Sequence, residues 1–199
     1  MNDIEMTLKN AALDLPTDTP ELADRAEAEG LIDVAYTSVD SPLGPLMVAA
    51  TPEGLVRVSY TEFRGEDEVL EELARRVSPR VLEAPARLDP VRRELDEYFD
   101  GRRQDFGVPI DWSYLAGFTR EVLRATARIG FGEVSSYAGV AAEAGSPRAV
   151  RAAGNALGAN PMPVVVPCHR VLRSGGKLGG YTGGLERKEF LLRLEGALL

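Results

Sequence analysis

Apolar and polar positions alternate over short stretches in the first part of the chain and recur at helical spacing further on. Ile32–Val39, Leu46–Ala50 and Leu55–Tyr60 are rich in β-branched, aromatic and aliphatic residues. They are separated by the turn-forming stretches 40–45 and 51–54, each with Pro and Gly, so the pattern predicts an antiparallel meander of three strands. Leu70, Leu73, Ala74 and Val77 stand at i, i+3, i+4 and i+7, which makes Glu66–Val77 an amphipathic helix. Asp89 followed by Pro90 reads as an N-cap with proline in the first turn, opening a helix through Leu95 and Tyr98 to Gly101. Phe106–Ile110 reads as a short extended piece. Residues 1–32 show no sustained pattern, apart from a short helix predicted over Pro20–Gly30, and read as an acidic tail without chemistry.

The second half is helical in pattern. Thr119 is placed to cap a helix carrying Val122, Leu123, Ala125 and Ile129, with Phe118 stapling onto Leu123. Ser135 or Ser136 opens the next helix, which runs to Gly145. Ser146 and Pro147 are placed as the N-cap and first residue of a third, which ends at Gly158. Two short helices across a Gly-Ser-Pro joint fit a helix-turn-helix, and equally an ordinary helical corner. Val164-Val165-Val166 reads as a buried strand, and Leu185–Glu195 as a final helix. The element order places the chain in the α+β class: a small antiparallel-sheet α/β domain over residues 33–112 and a mainly helical domain over 113–199.

Charge adds to this picture through its distribution. The formal net charge is −8, which disfavours nucleic acid. Residues 1–112, however, carry a net −13 and residues 113–199 a net +5. A basic half beside an acidic one can present one face to phosphates while the other repels them. The third predicted helix is built from Ala149, Ala152, Ala153, Gly154 and Ala156, with Arg148, Arg151 and Asn155 as its donors. Such small residues permit close approach to a minor groove, or simply to a neighbouring helix. No apolar run is long enough to span a membrane, and Met1–Leu15 lacks the features of a signal peptide, so a cytoplasmic protein is expected.

The single Cys and the single His are adjacent, as Cys168 and His169, directly after Pro167. One Cys forms no intrachain disulfide, and two soft ligands fall short of a structural zinc site, so no metal or cofactor is expected. A lone Cys is most often an inert small hydrophobe. A thiol beside an imidazole can instead be a nucleophile with its base, although neighbours in sequence do not readily face each other and a bridging water is an alternative. Two reactions then stay open: acyl transfer, which needs an oxyanion hole, and displacement at a saturated carbon, which needs a soft nucleophile and an acid for the leaving group. The loop Ser174–Gly184 lacks the spacing of a phosphate loop but offers backbone N–H groups and the face of Tyr181, which suits a flat ring. Lys188 and Glu195 stand seven apart on the last helix, where they also read as ordinary surface charge.

The segment Pro167-Cys168-His169-Arg170-Val171 resembles the active-site signature of the O6-alkylguanine-DNA alkyltransferases, the methylated-DNA–protein-cysteine S-methyltransferases. In family order the chain also carries Phe131–Tyr137, Arg148–Arg151, Asn160-Pro161, Gly180–Leu185 and Leu194–Gly196, together with the leading Ser41–Leu46, so the resemblance spans roughly residues 33–196. It implies a ribonuclease-H-like N-terminal domain, a winged-helix type of helix-turn-helix, and direct single-turnover transfer of an alkyl group from O6-alkylguanine, or O4-methylthymine, in double-stranded DNA. Cys168 would be the acceptor, His169 its base through a water, and Glu195 the support of His169. Asn160 would sit at the hinge, and Tyr137 and Lys188 would assist the leaving base. Val171 and Thr182 would offer backbone groups to that base, with Pro163 and Tyr181 as pocket walls. Arg151 would enter the duplex in place of the flipped nucleotide, beside Ala152 on the groove-facing helix. A monomer is expected, and since no Cys or His is spare beyond Cys168 and His169, so is the absence of the zinc-binding regulatory domain that some larger members of the family carry. The alternatives are a lesion-binding protein without catalysis and a Cys-His hydrolase.

Overall fold

The computed structural model describes residues 19–198; residues 1–18 of the predicted acidic tail lie outside them. The strands β1 (Val34–Val39), β2 (Leu46–Thr51) and β3 (Gly54–Tyr60) form the expected antiparallel meander. A fourth strand, β4 (Val81–Glu83), lies parallel to β1 and completes the sheet order β3-β2-β1-β4. At three residues, β4 is too short for its alternation to stand out in sequence.

Both faces of this sheet are covered, which is why β2 and β3 are buried along their whole length. Helix α2 (Glu66–Arg76) lays Val69 and Leu73 on Val34, Met47, Ala49 and Val56. The opposite face, with Ala35, Leu46, Val48 and Val58, joins the main core shared with α3 (Asp89–Phe99) and the second half. Helix α2 has three acids in its first turn and Arg75 and Arg76 in its last, the arrangement its dipole favours. Helix α1 (Thr19–Ala28) is followed by Ile32, and Ala23 and Ile32 are both buried in the main core. The part of the tail from α1 onward is therefore docked.

The second half packs α4 (Gly117–Thr126), α5 (Tyr137–Glu143) and α6 (Val150–Gly158) against one another, and α7 (Leu185–Leu194) closes the chain. The short β5 (Ser135–Ser136) pairs in parallel with β6 (Val171–Leu172) and ties the start of α5 to the Cys168 segment. Ser136 caps α5, its hydroxyl accepting the Gly139 N–H at 3.0 Å.

Three local expectations are corrected. Thr119 lies inside α4, whose cap position is Ala116, with Phe118, one residue before it, already packed against the core. Ser146 and Pro147 form a turn closed by the Ala149 N–H on the Ser146 carbonyl, and α6 begins only at Val150. Val164-Val165-Val166 is a buried turn, closed by the Val166 N–H on the Met162 carbonyl at 2.8 Å, with Val164 at φ +74°. A β-branched run looks the same in a strand and in a buried turn, because periodicity cannot separate short apolar segments.

The connection between the halves is laced to the sheet. The Leu55 N–H donates to the Pro109 carbonyl at 2.8 Å, the Asp111 N–H to Leu55 at 3.0 Å, and the Thr51 hydroxyl to the Asp111 carboxylate at 2.8 Å. Of the predicted extended piece 106–110, only Ile110 makes a bridge, to Leu55. Gly54 makes this approach possible: its φ is +145°, and a Cβ there would lie 2.5 Å from the Pro109 carbonyl oxygen. Gly54→Ala should lower the unfolding free energy by about 2 kcal/mol or more, through backbone strain and crowding together. Urea denaturation with an unchanged m-value is the check.

Candidate active site

The Cys168 segment takes its shape from one side chain. Asn160 follows α6, and its carboxamide bridges the turn that comes next. Its oxygen accepts the Met162 N–H at 3.1 Å, and its Nδ2 donates to the Val166 carbonyl at 2.8 Å and to Cys168 Sγ at 3.1 Å. A turn that holds a valine at positive φ needs such a brace. Cys168–Arg170 then form a single 3-10 turn with all three side chains buried. Burial pushes the Cys168 thiol up to about 11, opposed by the Asn160 N–H and by the charge of Lys188. The resting group is a thiol.

Behind it lies a buried polar cluster centred on Glu195, at the C-cap of α7. Its Oε1 accepts from Tyr98 Oη at 2.6 Å, pairs with His169 Nε2 at 2.8 Å and accepts from Arg170 Nη2 at 2.9 Å. Its Oε2 accepts from Arg170 Nε at 2.8 Å and the Gly132 N–H at 3.4 Å. Burial works to raise the Glu195 pKa, but the hydrogen bonds from His169, Arg170 and Tyr98 outweigh it and hold the carboxyl at about 2. Burial lowers the pKa of His169, with Glu195 opposing. A neutral imidazole facing an ionised carboxylate carries its proton on Nε2, so Nδ1 is the free lone pair. Nδ1 is buried and has no hydrogen-bond partner. No hydrogen bond joins Cys168 and His169 directly among the described residues.

Lys188 belongs to this interior. It is fully buried, and Nζ donates to the Val171 carbonyl at 2.6 Å. Burial lowers its pKa to about 8, the proximity of Cys168 opposing. The surface reading of Lys188 and Glu195 is thereby overturned.

Cys168 lines a cleft of about 790 Å³ together with Tyr137, Arg151, Gly154, Asn155, Tyr181 and Thr182. Arg151, Ala152 and Asn155 are exposed on the outer face of α6, whereas Ala153, Ala156 and Leu157 face the core. Small residues along α6 thus serve both readings, inward packing and an accessible outer face. Tyr137 packs against Gly154, where a Cβ would meet the ring at an ordinary 3.7 Å, and against Gly179, where a Cβ would stand 2.3 Å from its hydroxyl oxygen, so only Gly179 has no room for a larger residue. The Thr182 hydroxyl is bonded to the Gly158 carbonyl at 3.1 Å.

Some predicted residues lie elsewhere. Pro163, expected as a wall of the cleft, lines a separate hollow of about 240 Å³ shared with Asn160 and Thr182. Val171, expected to offer backbone groups to a base, does not line the cleft, and its carbonyl accepts from Lys188. His169, Glu195 and Lys188 stand behind the thiol and do not line the cleft. Tyr98, Tyr60 and Arg170 were not predicted. Arg170 adjoins Cys168-His169 and could have been suspected from its place in that segment, whereas Tyr98 and Tyr60 come from the first half and carry no local signal.

Residues 34–112 match the family model described as 6-O-methylguanine DNA methyltransferase, ribonuclease-like domain, and residues 117–197 match the DNA binding domain of the same family. The chain belongs to the 6-O-methylguanine DNA methyltransferase family. It is 36% identical over 162 residues to a methylated-DNA–protein-cysteine methyltransferase of Methanosarcina acetivorans, covering 81% of this chain and 98% of the relative. The crystal structure of Mycobacterium tuberculosis O6-methylguanine methyltransferase aligns with a TM-score of 0.70 at 36% identity, over 83% of this chain and 94% of the other. A structure of the Mycobacterium tuberculosis protein in complex with DNA aligns at 0.68 and 36% identity, over 81% and 92%. The α+β fold of this chain is thus that of its family.

The Glu195 cluster makes a prediction about acid stability. Its folded pKa of about 2 lies below the ordinary 4.5, so its contribution is fully present above pH 4.5 and is lost as pH falls from there towards 2. Glu195→Gln should cost about 3 kcal/mol near pH 7, because Arg170 and His169 lose their buried partner. That difference should vanish towards pH 2, as read from chemical denaturation across pH.

Proposed function

We propose that this chain repairs alkylated DNA by transferring the alkyl group from O6 of guanine to Cys168, once per molecule. The observation that carries this reading is a thiol lining a cleft beside α6, with a buried His169–Glu195 pair directly behind it. Within this reading residues 33–112 form the scaffold, and 113–199 carry DNA binding and transfer.

An O6-alkyl group sits inside a stacked duplex, so the nucleotide must turn out into the cleft, at a cost of a few kcal/mol. The exposed face of α6, with Arg151 and Ala152, approaches the minor groove, and Arg151 fills the place the nucleotide leaves. Tyr181 and Tyr137 flank the base. The thiol then gives its proton to Nδ1 of His169 across a bridging water, and the imidazolium is stabilised by Glu195. Sγ attacks the saturated carbon, the carbon–O6 bond breaks, and its electron pair leaves with the guanine. The base gains one proton and the thiol has lost one, so the exchange balances without a further reactant. Burial raises the Tyr137 pKa, which keeps its hydroxyl a donor to the departing base at neutral pH. Lys188 donates to Val171 and stands outside the cleft, so its part is to favour the thiolate by its charge. The thioether is not reversed by water or thiols, hence the single turnover. A lone thiol of this kind survives in a reducing cytoplasm, where the reading places the protein. Among the described residues, no helix is long and apolar enough to cross a membrane.

With a duplex oligonucleotide containing O6-methylguanine in excess, the peptide bearing Cys168 should gain the mass of one methylene, at no more than one per molecule, and Cys168→Ala should gain none. Transfer by Cys168→Ala, or several turnovers per molecule, would defeat the reading. Arg151→Ala should slow transfer on duplex about tenfold while leaving single-stranded substrate nearly unaffected, since only the duplex must be opened.

A further inference from the structure

The cleft wall opposite α6 is held by a residue of the first half. Tyr60 ends β3 and is buried, and its hydroxyl is hydrogen-bonded to that of Tyr181 at 2.8 Å. The two rings meet edge to face, with centroids 6.3 Å apart. On its other side Tyr181 meets His169 edge-on at 6.4 Å. Tyr181 is therefore clamped between the imidazole and Tyr60, and its hydroxyl is committed away from any ligand.

Tyr60 is itself fixed. The Arg187 guanidinium lies 5.0 Å from its ring centroid, and Arg187 is anchored by donating to the Leu43 carbonyl at 2.6 Å and the Gly183 carbonyl at 3.2 Å. The loop crosses Tyr60 at Gly183, where a Cβ would stand 2.6 Å from the Tyr60 ring and 2.9 Å from that of Tyr181. Sheet, ring pair and loop thus meet closely here, and the hydroxyl–hydroxyl bond is the polar tie between the Tyr181 ring and the sheet.

We infer that Tyr60 is a specificity-determining residue: by pinning Tyr181 from behind, it fixes the width of the cleft beside Cys168 and so limits the size of alkyl group that can reach the sulfur. The inference rests on the alkyl-transfer reading above. Tyr60 touches neither thiol nor base, so it acts as a positioning residue through Tyr181. A small group such as methyl needs no movement of the wall, whereas a planar benzyl group needs Tyr181 to give way, and giving way breaks the bond to Tyr60.

The test measures transfer from O6-methylguanine and O6-benzylguanine oligonucleotides to Cys168, by mass, for the unaltered protein, Tyr60→Phe, Tyr181→Phe and the double variant. The benzyl-to-methyl rate ratio cancels any loss of folded protein common to both substrates. Tyr60→Phe should raise the ratio about fivefold, the worth of one net hydrogen bond. Tyr181→Phe should raise it equally, and the double variant no further, because the same bond is lost in all three. A ratio unchanged in Tyr60→Phe, or a double variant equal to the product of the singles, would overturn the assignment. Absence of methyl transfer by the unaltered protein would instead defeat the alkyl-transfer reading on which it stands.

Discussion

A carboxylate at the C-terminal end of a helix and out of contact with water is disfavoured twice, by the helix dipole and by burial. Glu195 occupies such a position, and much of the architecture follows from making it tolerable. Arg170 grips both oxygens, Tyr98 reaches in from the first half, and His169 is the third side-chain partner. The cluster draws on α3, the Cys168 turn and the end of α7, so no single element can form it alone. Its chemical result is a fixed tautomer of His169 with its lone pair on the nitrogen that Glu195 does not hold.

The acidic half thus does more than carry charge. Its sheet gives α2 and the second half a face each, and the Val58 N–H donates to the Pro161 carbonyl at 2.9 Å, stitching β3 to the turn before Cys168. Tyr98 and Tyr60 project from two different elements of this half into the neighbourhood of the thiol, one to the carboxylate behind it and one to the wall beside it.

Much of this was readable from the chain. The three strands, α2 and the two helices around the Gly-Ser-Pro joint follow from spacing and turn residues, and Cys168 and His169 stand out as singletons placed together. What the sequence left open has a common cause: the deciding contacts join residues far apart. Tyr98 is a core aromatic at helical spacing, indistinguishable in sequence from any other, until Glu195 is brought 2.6 Å from its hydroxyl. Lys188 and Glu195 look like surface charges because nothing local reveals that α7 turns them inward. Pro163 and Val171 were assigned to the cleft by resemblance, and the fold gives them other neighbours. Thr119, Ser146 and the valine turn show the opposite limit, where local capping and periodicity rules admit two answers and packing selects one.

Lys188 completes an account of the interior in terms of electroneutrality. Around the sulfur, Arg170 is balanced by Glu195, and burial keeps His169 neutral; among the described residues Lys188 has no carboxylate partner, only the Val171 carbonyl. The buried group therefore holds a surplus of positive charge while the sulfur is protonated. Ionising a thiol in an uncharged interior would create an isolated anion; here it cancels a standing excess. The protein keeps this interior one negative charge short, and ionising the sulfur beside Lys188 supplies it.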